Sequence, residues 1–303
     1  MAKVSKVFVV GFTARKGGTG KTTCSFNVGF EFARRRKWKG VKSHPVFFVD
    51  VDPQAIGKES ERAATTLTDL FRIGPFDLTP LKLEGDRMVE ARRVTKETVE
   101  RTGGFELFHV KYSPDPEEFD NADPMCSVHD KVFLAHLSTH ISESPGMMDF
   151  GKFLNAITGA GFDGIVVLDT PPLNVRTTFV LNALEHCDLV VPVLNPESYD
   201  QIPDFIRRHP VRFIVLNQML KGRTKEAEKI RREIEGYLKR TTLDEDDVIW
   251  IPSNDQLRSC TNTGVPARCR NPKPQAVTPK FHHIAWRIEV ERERRSKISE
   301  IRL

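Results

Sequence analysis

The chain has 303 residues, 39% of them apolar, and 46 Lys and Arg against 41 Asp and Glu give a net charge of +5. That length can bury a substantial core and suits one large α/β domain or at most two domains, while no run of about 18 apolar residues is present to span a bilayer. Residues 1–12 lack the apolar region and small-residue cleavage site of a signal peptide. The cysteines, Cys24, Cys126, Cys187, Cys260 and Cys269, form no CxxC pair, which argues against a disulfide framework or zinc site and fits reduced thiols in a cytosol.

In chain order, the apolar run 7–10 predicts a strand. It leads into Lys16-Gly17-Gly18-Thr19-Gly20-Lys21-Thr22-Thr23, after which Phe26, Phe30 and Ala33 repeat at helical spacing. A glycine-rich segment between strand and helix is the context of a phosphate loop. Glycines allow backbone N–H groups to turn inward, the helix adds its N-terminal amides and dipole, and Lys21 supplies a cation for the β- and γ-phosphates. The Thr22 hydroxyl is placed to ligate Mg²⁺. The usual pattern has glycine where this chain has Arg15.

A basic cluster (Arg34, Arg35, Arg36, Lys37, Lys39, Lys42) follows, then a second apolar run, 46–49, ending in Asp50-Val51-Asp52-Pro53-Gln54. Carboxylates two apart at a strand end point to the same side, so both can face one site. Residues 74–144, rich in acids and broken by Pro114, Pro116 and Pro124, fit strand–helix alternation least and read as an insertion or lid-like region. The run 165–168 ends in Asp169-Thr170-Pro171-Pro172; 189–194 and 213–216 follow, the latter ending at Asn217. An Asn amide can pair with an adenine edge, and it is equally an ordinary turn or helix cap. Ile230, Ile234 and Leu238 mark a further helix, and 248–251 a last strand closed by Pro252. Continuous apolar strands alternating with helices predict a doubly wound, mostly parallel sheet.

These residues carry a resemblance. Lys16 through Thr23, with a second lysine opening the loop, is similar to the KGGxGK[ST] signature of the ParA/MinD deviant Walker ATPases; residues 50–54 resemble that family's DxDPQ motif and 169–172 its DTPP motif. The resemblance covers roughly residues 4–70 and 150–290 and implies a P-loop ATPase fold with ATP and Mg²⁺ as ligands. It implies that Thr22, Asp50 and Asp169 serve the metal and that Asp52 orients the attacking water. By the same resemblance, Asn217 and Pro252 are expected at the adenine, and Lys16 is expected to reach nucleotide held by the opposite subunit of an ATP-sandwich homodimer. A second cation there would offset charge on the transferring phosphoryl group, as an arginine finger does, worth roughly 10³–10⁵ in rate. The chain departs from the family after Gln54, where Ala55-Ile56-Gly57 replaces Gly-Asn, and in the longer separation of Asp52 from Asp169.

Within the family, the DPQ and DTPP forms and a basic C-terminal third favour a ParA-like, Soj-like DNA partition ATPase. Such a protein binds nonspecific double-stranded DNA in its ATP form and is reset when a centromere-binding ParB-like partner stimulates weak basal hydrolysis. Sequence-independent binding needs only cations on phosphates; the candidates are Arg258, Arg268, Arg270 and Lys273, with Arg207, Arg208, Arg231 and Arg232 as a second face. The tail 287–303 alternates acids and bases and makes a poor membrane stripe, so no membrane partner is expected and the location is cytoplasmic, on the nucleoid. The alternatives are a relative serving conjugative transfer, replication control or MinD-like positioning, and a ligase similar to dethiobiotin synthetase. A nucleotide-gated scaffold is a third.

Overall fold

Ten strands hydrogen-bond side by side in the order β10-β9-β8-β1-β7-β2-β6-β5-β3-β4 in the computed structural model, which describes residues 7–34, 37–52, 66–113, 131–138, 148–173, 178–219, 225–270 and 274–301. The central strands are β1 (Phe8–Thr13), β7 (Ile165–Asp169) and β2 (Val46–Asp50), flanked by β8 (Leu189–Leu194), β9 (Ile214–Met219) and β10 (Val248–Pro252). All six run parallel, and each grows from a β-branched or aromatic run legible in the sequence.

Alternation across the pleat splits the core into two layers. Val10, Phe12, Phe48 and Val167 face α1 (Lys21–Phe32) and α9 (Thr278–Ile301), whose Phe281, Ile284, Ala285 and Ile288 are buried there. Val9, Phe47, Val49 and Val166 face α4 (Phe150–Gly159), α5 (Thr178–Glu185) and α7 (Lys225–Leu238). Because both faces are covered, the strands read as continuous apolar runs rather than alternating ones.

Residues 74–144, read as an insertion or lid-like region, place four strands in this same sheet where they are described. These are β3 (Phe76–Glu84), β4 (Arg87–Glu90), β5 (Phe105–Tyr112) and β6 (Val132–Leu137). β6 is a parallel neighbour of β2, and β5, β3 and β4 continue from it antiparallel. Pro80 is tolerated inside β3 because β4 pairs only from Leu81 onward. Residues 114–130 and 139–144, which hold many of the acids together with Pro114, Pro116 and Pro124, lie outside the described residues.

One helix–sheet contact sets the height of α1 above the sheet. Gly29 lies against the Phe48 ring, and a Cβ there would meet ring carbons at 2.1 and 2.4 Å. Phe48 in turn stacks among Phe26, Phe30 and Phe71, the last on α2 (Leu67–Ile73), with ring centroids 5.0–6.5 Å apart. Glycine is normally about 1 kcal/mol worse than alanine inside a helix. Gly29→Ala is nevertheless expected to destabilise the protein by about 1–3 kcal/mol, through overpacking against this aromatic cluster. Urea denaturation of the two proteins checks the sign.

Candidate nucleotide site

The carboxyl ends of β1, β7 and β2 meet at one edge, where ligands bind in open α/β sheets. The loop after β1 turns on Gly18 and Gly20, with φ of 71° and 90°, a region that disfavours any residue with a Cβ. Gly20 is also the N-cap of α1 and offers no side-chain cap, so the first-turn amides have no side-chain partner. Residues 15–18 are exposed, while Thr19 and Lys21 are buried.

Beneath the loop, Asp169 stands directly opposite Asp50 across the β2–β7 pair. The Thr22 hydroxyl donates to Asp169 Oδ2 at 2.7 Å, and the buried Asp169 Oδ1 has no hydrogen-bond partner among the described residues. Burial and the neighbouring Asp50 push the Asp169 carboxyl up to about 7, against the opposing pull of Lys21 and Thr22. Burial also lowers the Lys21 ammonium, with Asp169 and Asp52 acting in the opposite direction. A hydroxyl beside a buried carboxylate with an orphaned oxygen fits Mg²⁺, a hard cation that takes oxygen ligands and usually keeps several waters.

The expected residues divide by position. Asp50 is fully buried and both its oxygens are engaged: Oδ1 accepts from the Asp52 amide at 3.0 Å, and Oδ2 from the Thr68 amide and hydroxyl, each at 2.7 Å. It therefore braces α2 and the end of β2, while Thr22 and Asp169 come together beside it. Asp52 lies just past β2, half-buried and within electrostatic reach of Lys21. Asn217 is buried, and its Nδ2 donates to the Thr19 carbonyl at 2.9 Å. That contact explains Gly20 a second time, since a Cβ there would lie 2.0 Å from Asn217 Nδ2. Asn217 is thus a brace for the phosphate loop as well as the expected base contact. Pro252 ends β10 half-buried. Lys16 extends over the surface, and its Nζ donates to the Glu197 carbonyl at 2.8 Å.

Sequence reasoning missed Gln218 and Thr68, and saw Arg15 only as a departure from the glycine pattern. Gln218, in a left-handed conformation at φ 58°, donates to the Gly18 carbonyl at 3.1 Å. Thr68 holds Asp50, and Arg15 pairs with Asp204 at 3.0 Å. Of the two missed, only Gln218 had a sequence signal, its adjacency to Asn217.

Among the expected DNA contacts, Arg268 is corrected. It is buried and donates to the Phe30 carbonyl of α1 at 3.1 Å, a structural tie that leaves it unavailable to a polyanion. Arg231 lies over the Trp250 ring at 5.0 Å, Arg207 pairs with Asp204 at 2.6 Å, and Arg270 donates to Thr263 at 3.4 Å. Arg208, Arg232 and Arg258 are exposed, and Lys273 lies outside the described residues. Cys24, Cys187 and Cys260 are buried free thiols, and Cys269 is buried.

No family of known proteins matches the sequence, and no curated protein matches it. Solved structures do share its fold. A variant of McdA from Cyanothece in complex with ATP matches with a TM-score of 0.54 at 13% identity, over 92% of this chain and 95% of that one. The apo form of Cyanothece McdA gives 0.54 and 13%, over 94% and 99%. A putative plasmid partition protein from Borrelia burgdorferi B31 bound to AMPPNP gives 0.49 and 17%, over 95% and 99%. The chain shares the fold of Cyanothece McdA.

The raised Asp169 carboxyl sets a pH dependence. Between its ordinary value and about 7 the native metal-free protein holds a proton that the unfolded chain has lost, so stability falls as pH rises through 7. In EDTA, the unfolding free energy is expected to drop by roughly 1 kcal/mol between pH 6 and pH 8 from this group. Asp169→Asn is expected to flatten that slope; urea titrations at the two pH values measure it.

Proposed function

We propose that this chain is an ATP-hydrolysing switch that dimerises on ATP, binds nonspecific DNA in that form, and acts in plasmid or chromosome partition. The observation that carries the reading is the joining of Thr22, Lys21 and Asp169 beneath a two-lysine phosphate loop. The loop amides and Lys21 hold the phosphates of ATP, and Thr22 and Asp169 would hold Mg²⁺, which would supply positive charge to the phosphates. Asp52, beyond the strand end, accepts a hydrogen bond from the attacking water and orients it in line. Lys16 serves the partner subunit of the sandwich dimer; to reach it, its ammonium leaves the Glu197 carbonyl.

Basal turnover is slow on this reading, because Lys16 is parked on its own chain until a second copy arrives, and a ParB-like partner supplies full stimulation. The DNA surface rests on exposed arginines, Arg208, Arg232 and Arg258, whose grip on phosphates carries no sequence information. Among the described residues no helix is long and apolar enough to cross a membrane. The cellular place proposed is the cytoplasm, on the nucleoid.

Fluorescence anisotropy on a random duplex, across apo, ADP and ATP·Mg²⁺ protein and a salt series, tests the switch. Binding is expected only with ATP, to fall steeply with salt, and to vanish in Lys16→Ala. Binding in no state, with ATP affinity intact, overturns the DNA role and moves weight to conjugative, replication or ligase relatives. Asp52→Ala is expected to retain ATP and lose hydrolysis by about 10²–10⁴-fold, read by phosphate release in single turnover.

A further inference from the structure

Two of the three tryptophans of this chain stand at the surface, at the opposite end of α1 from the phosphate loop. Trp38 and Trp286 are each 41% exposed, and Val290 beside them is 44% exposed. His283, Trp286 and Val290 share one exposed face of α9 by their spacing, and the His283 and Trp286 rings are 5.7 Å apart. The turn after α1 leans on that face: a Cβ at Gly40 would meet the Trp286 indole at 3.0 and 3.2 Å, and Lys42 pairs with Glu293 at 2.6 Å. The two elements therefore form one continuous surface.

The turn is built tightly. Trp38 and Val41 exchange both backbone hydrogen bonds, at 3.0 and 2.9 Å, around Lys39 and Gly40 with φ of 41° and 93°. Both central residues of such a turn favour Asn or Gly. The chain instead places a lysine at the strained position, and its Nζ sits 5.5 Å from the centre of the Trp38 ring. Lys37, Lys39 and Lys280 have no carboxylate partner among the described residues, whereas Lys42 is paired. Exposed rings interleaved with unpaired ammonium groups suit a ligand with flat apolar faces and a regularly charged backbone.

We infer that Trp38 and Trp286, with Lys37, Lys39 and Lys280, form a platform for single-stranded nucleic acid, the indoles stacking bases and the lysines holding phosphates. Anionic membrane is the competing occupant, and the surface fits it poorly. Among the described residues Val290 is the exposed aliphatic residue one turn along α9 from Trp286, and Glu293, Arg294 and Lys297 follow it before Ile298. The local field is positive: besides burial, Arg287, Lys280 and His282 lower the His283 imidazole. This platform is independent of the nucleotide reading, since it lies away from the phosphate loop and uses none of its residues.

Binding of a fluorescein-labelled dT 20-mer to the full-length protein without nucleotide tests it. Binding is expected with quenching of tryptophan emission, preference over a 20-base-pair duplex, and a salt slope near −2, from three lysines at about 0.7 each. Trp286→Ala and Trp38→Ala are expected to weaken binding fivefold or more while leaving fluorescent ATP-analogue binding unchanged. Lys39→Gly relieves the strained turn and removes the cation together. Its melting temperature is expected to rise as dT affinity falls at least threefold, a combination that mere structural damage does not produce. Equal affinity of Trp286→Ala and Lys39→Gly to the parent overturns the platform, as does duplex binding without quenching. A blue shift on vesicles of 3:1 phosphatidylcholine and phosphatidylglycerol, with no response to dT, overturns it in favour of a membrane. None of these outcomes depends on ATP, so failure here is separable from failure of the ATP-gated duplex switch.

Discussion

Two carboxylates directly opposite each other on adjacent strands, both out of water, are the constraint around which this molecule is organised. Asp50 and Asp169 face across the β2–β7 ladder at the carboxyl edge of the sheet. Their mutual repulsion and desolvation would be prohibitive if nothing compensated either one. The two are settled differently. Asp50 receives two donors from Thr68 and one from the Asp52 amide, which fixes the start of α2 against the end of β2. Asp169 receives only Thr22 and the field of Lys21, and keeps an oxygen without a partner. One carboxylate is structurally satisfied, and the other retains an appetite for a cation. That asymmetry marks Asp169, and not Asp50, as the carboxylate open to a further partner at the sheet edge.

The helix that carries Lys21 and Thr22 also transmits that arrangement through the fold. α1 starts on the phosphate loop, is set at close range by Gly29 over Phe48, and ends in a buried polar knot where Glu31 and Arg34 meet His282 of α9, the His282 and Glu31 side chains 3.1 Å apart. Arg268 adds a bond to the Phe30 carbonyl. Breaking a buried charged pair by removing one partner costs far more than the pair contributes when intact. The knot therefore fixes the relation of α1 to α9, and the exposed tryptophans sit on the solvent side of the same junction.

Chemistry confined to a short stretch of chain was legible in the sequence. The phosphate loop declares itself because glycines, lysines and threonines must occupy consecutive positions between a strand and a helix. The parallel strands declare themselves because burial on both faces demands unbroken apolar runs. Relations across the fold were not legible. β3 and much of β5 alternate polar and apolar residues, Pro80 lies inside β3 and an acid-rich segment follows β5, so local composition spoke for an insertion while long-range pairing placed β3–β6 in the sheet. Arg268 looked like one cation in an acid-free run, but burial against α1 gives it a different task. Asn217 was read by its strand-end position as a base contact or cap; its donation to Thr19 depends on β9 lying beside the loop, which no local spacing encodes.

The exposed limb of the loop shows how such a site can be held ready without being locked. Arg15 bridges to Asp204 at a surface position, a kind of contact worth roughly 0–1 kcal/mol. Lys16 rests on a neutral carbonyl, also at the surface, and such a hydrogen bond contributes only about 0.5–1.5 kcal/mol even in favourable settings. A phosphate oxygen offers Lys16 a charge-assisted bond about twice as strong as a neutral one. On the proposed reading, the parked lysine is therefore exchanged at little cost once a second subunit presents nucleotide, and the barrier to the active dimer lies in assembling two loaded copies. The interior is settled in the opposite way. Thr22, Asp169, Asp50 and Thr68 are locked by short bonds in low dielectric, where displacement of any one leaves a buried charge or hydroxyl unsatisfied. On that same reading, rigid chemistry below and a loosely tethered cation above suit a nucleotide-dependent dimer.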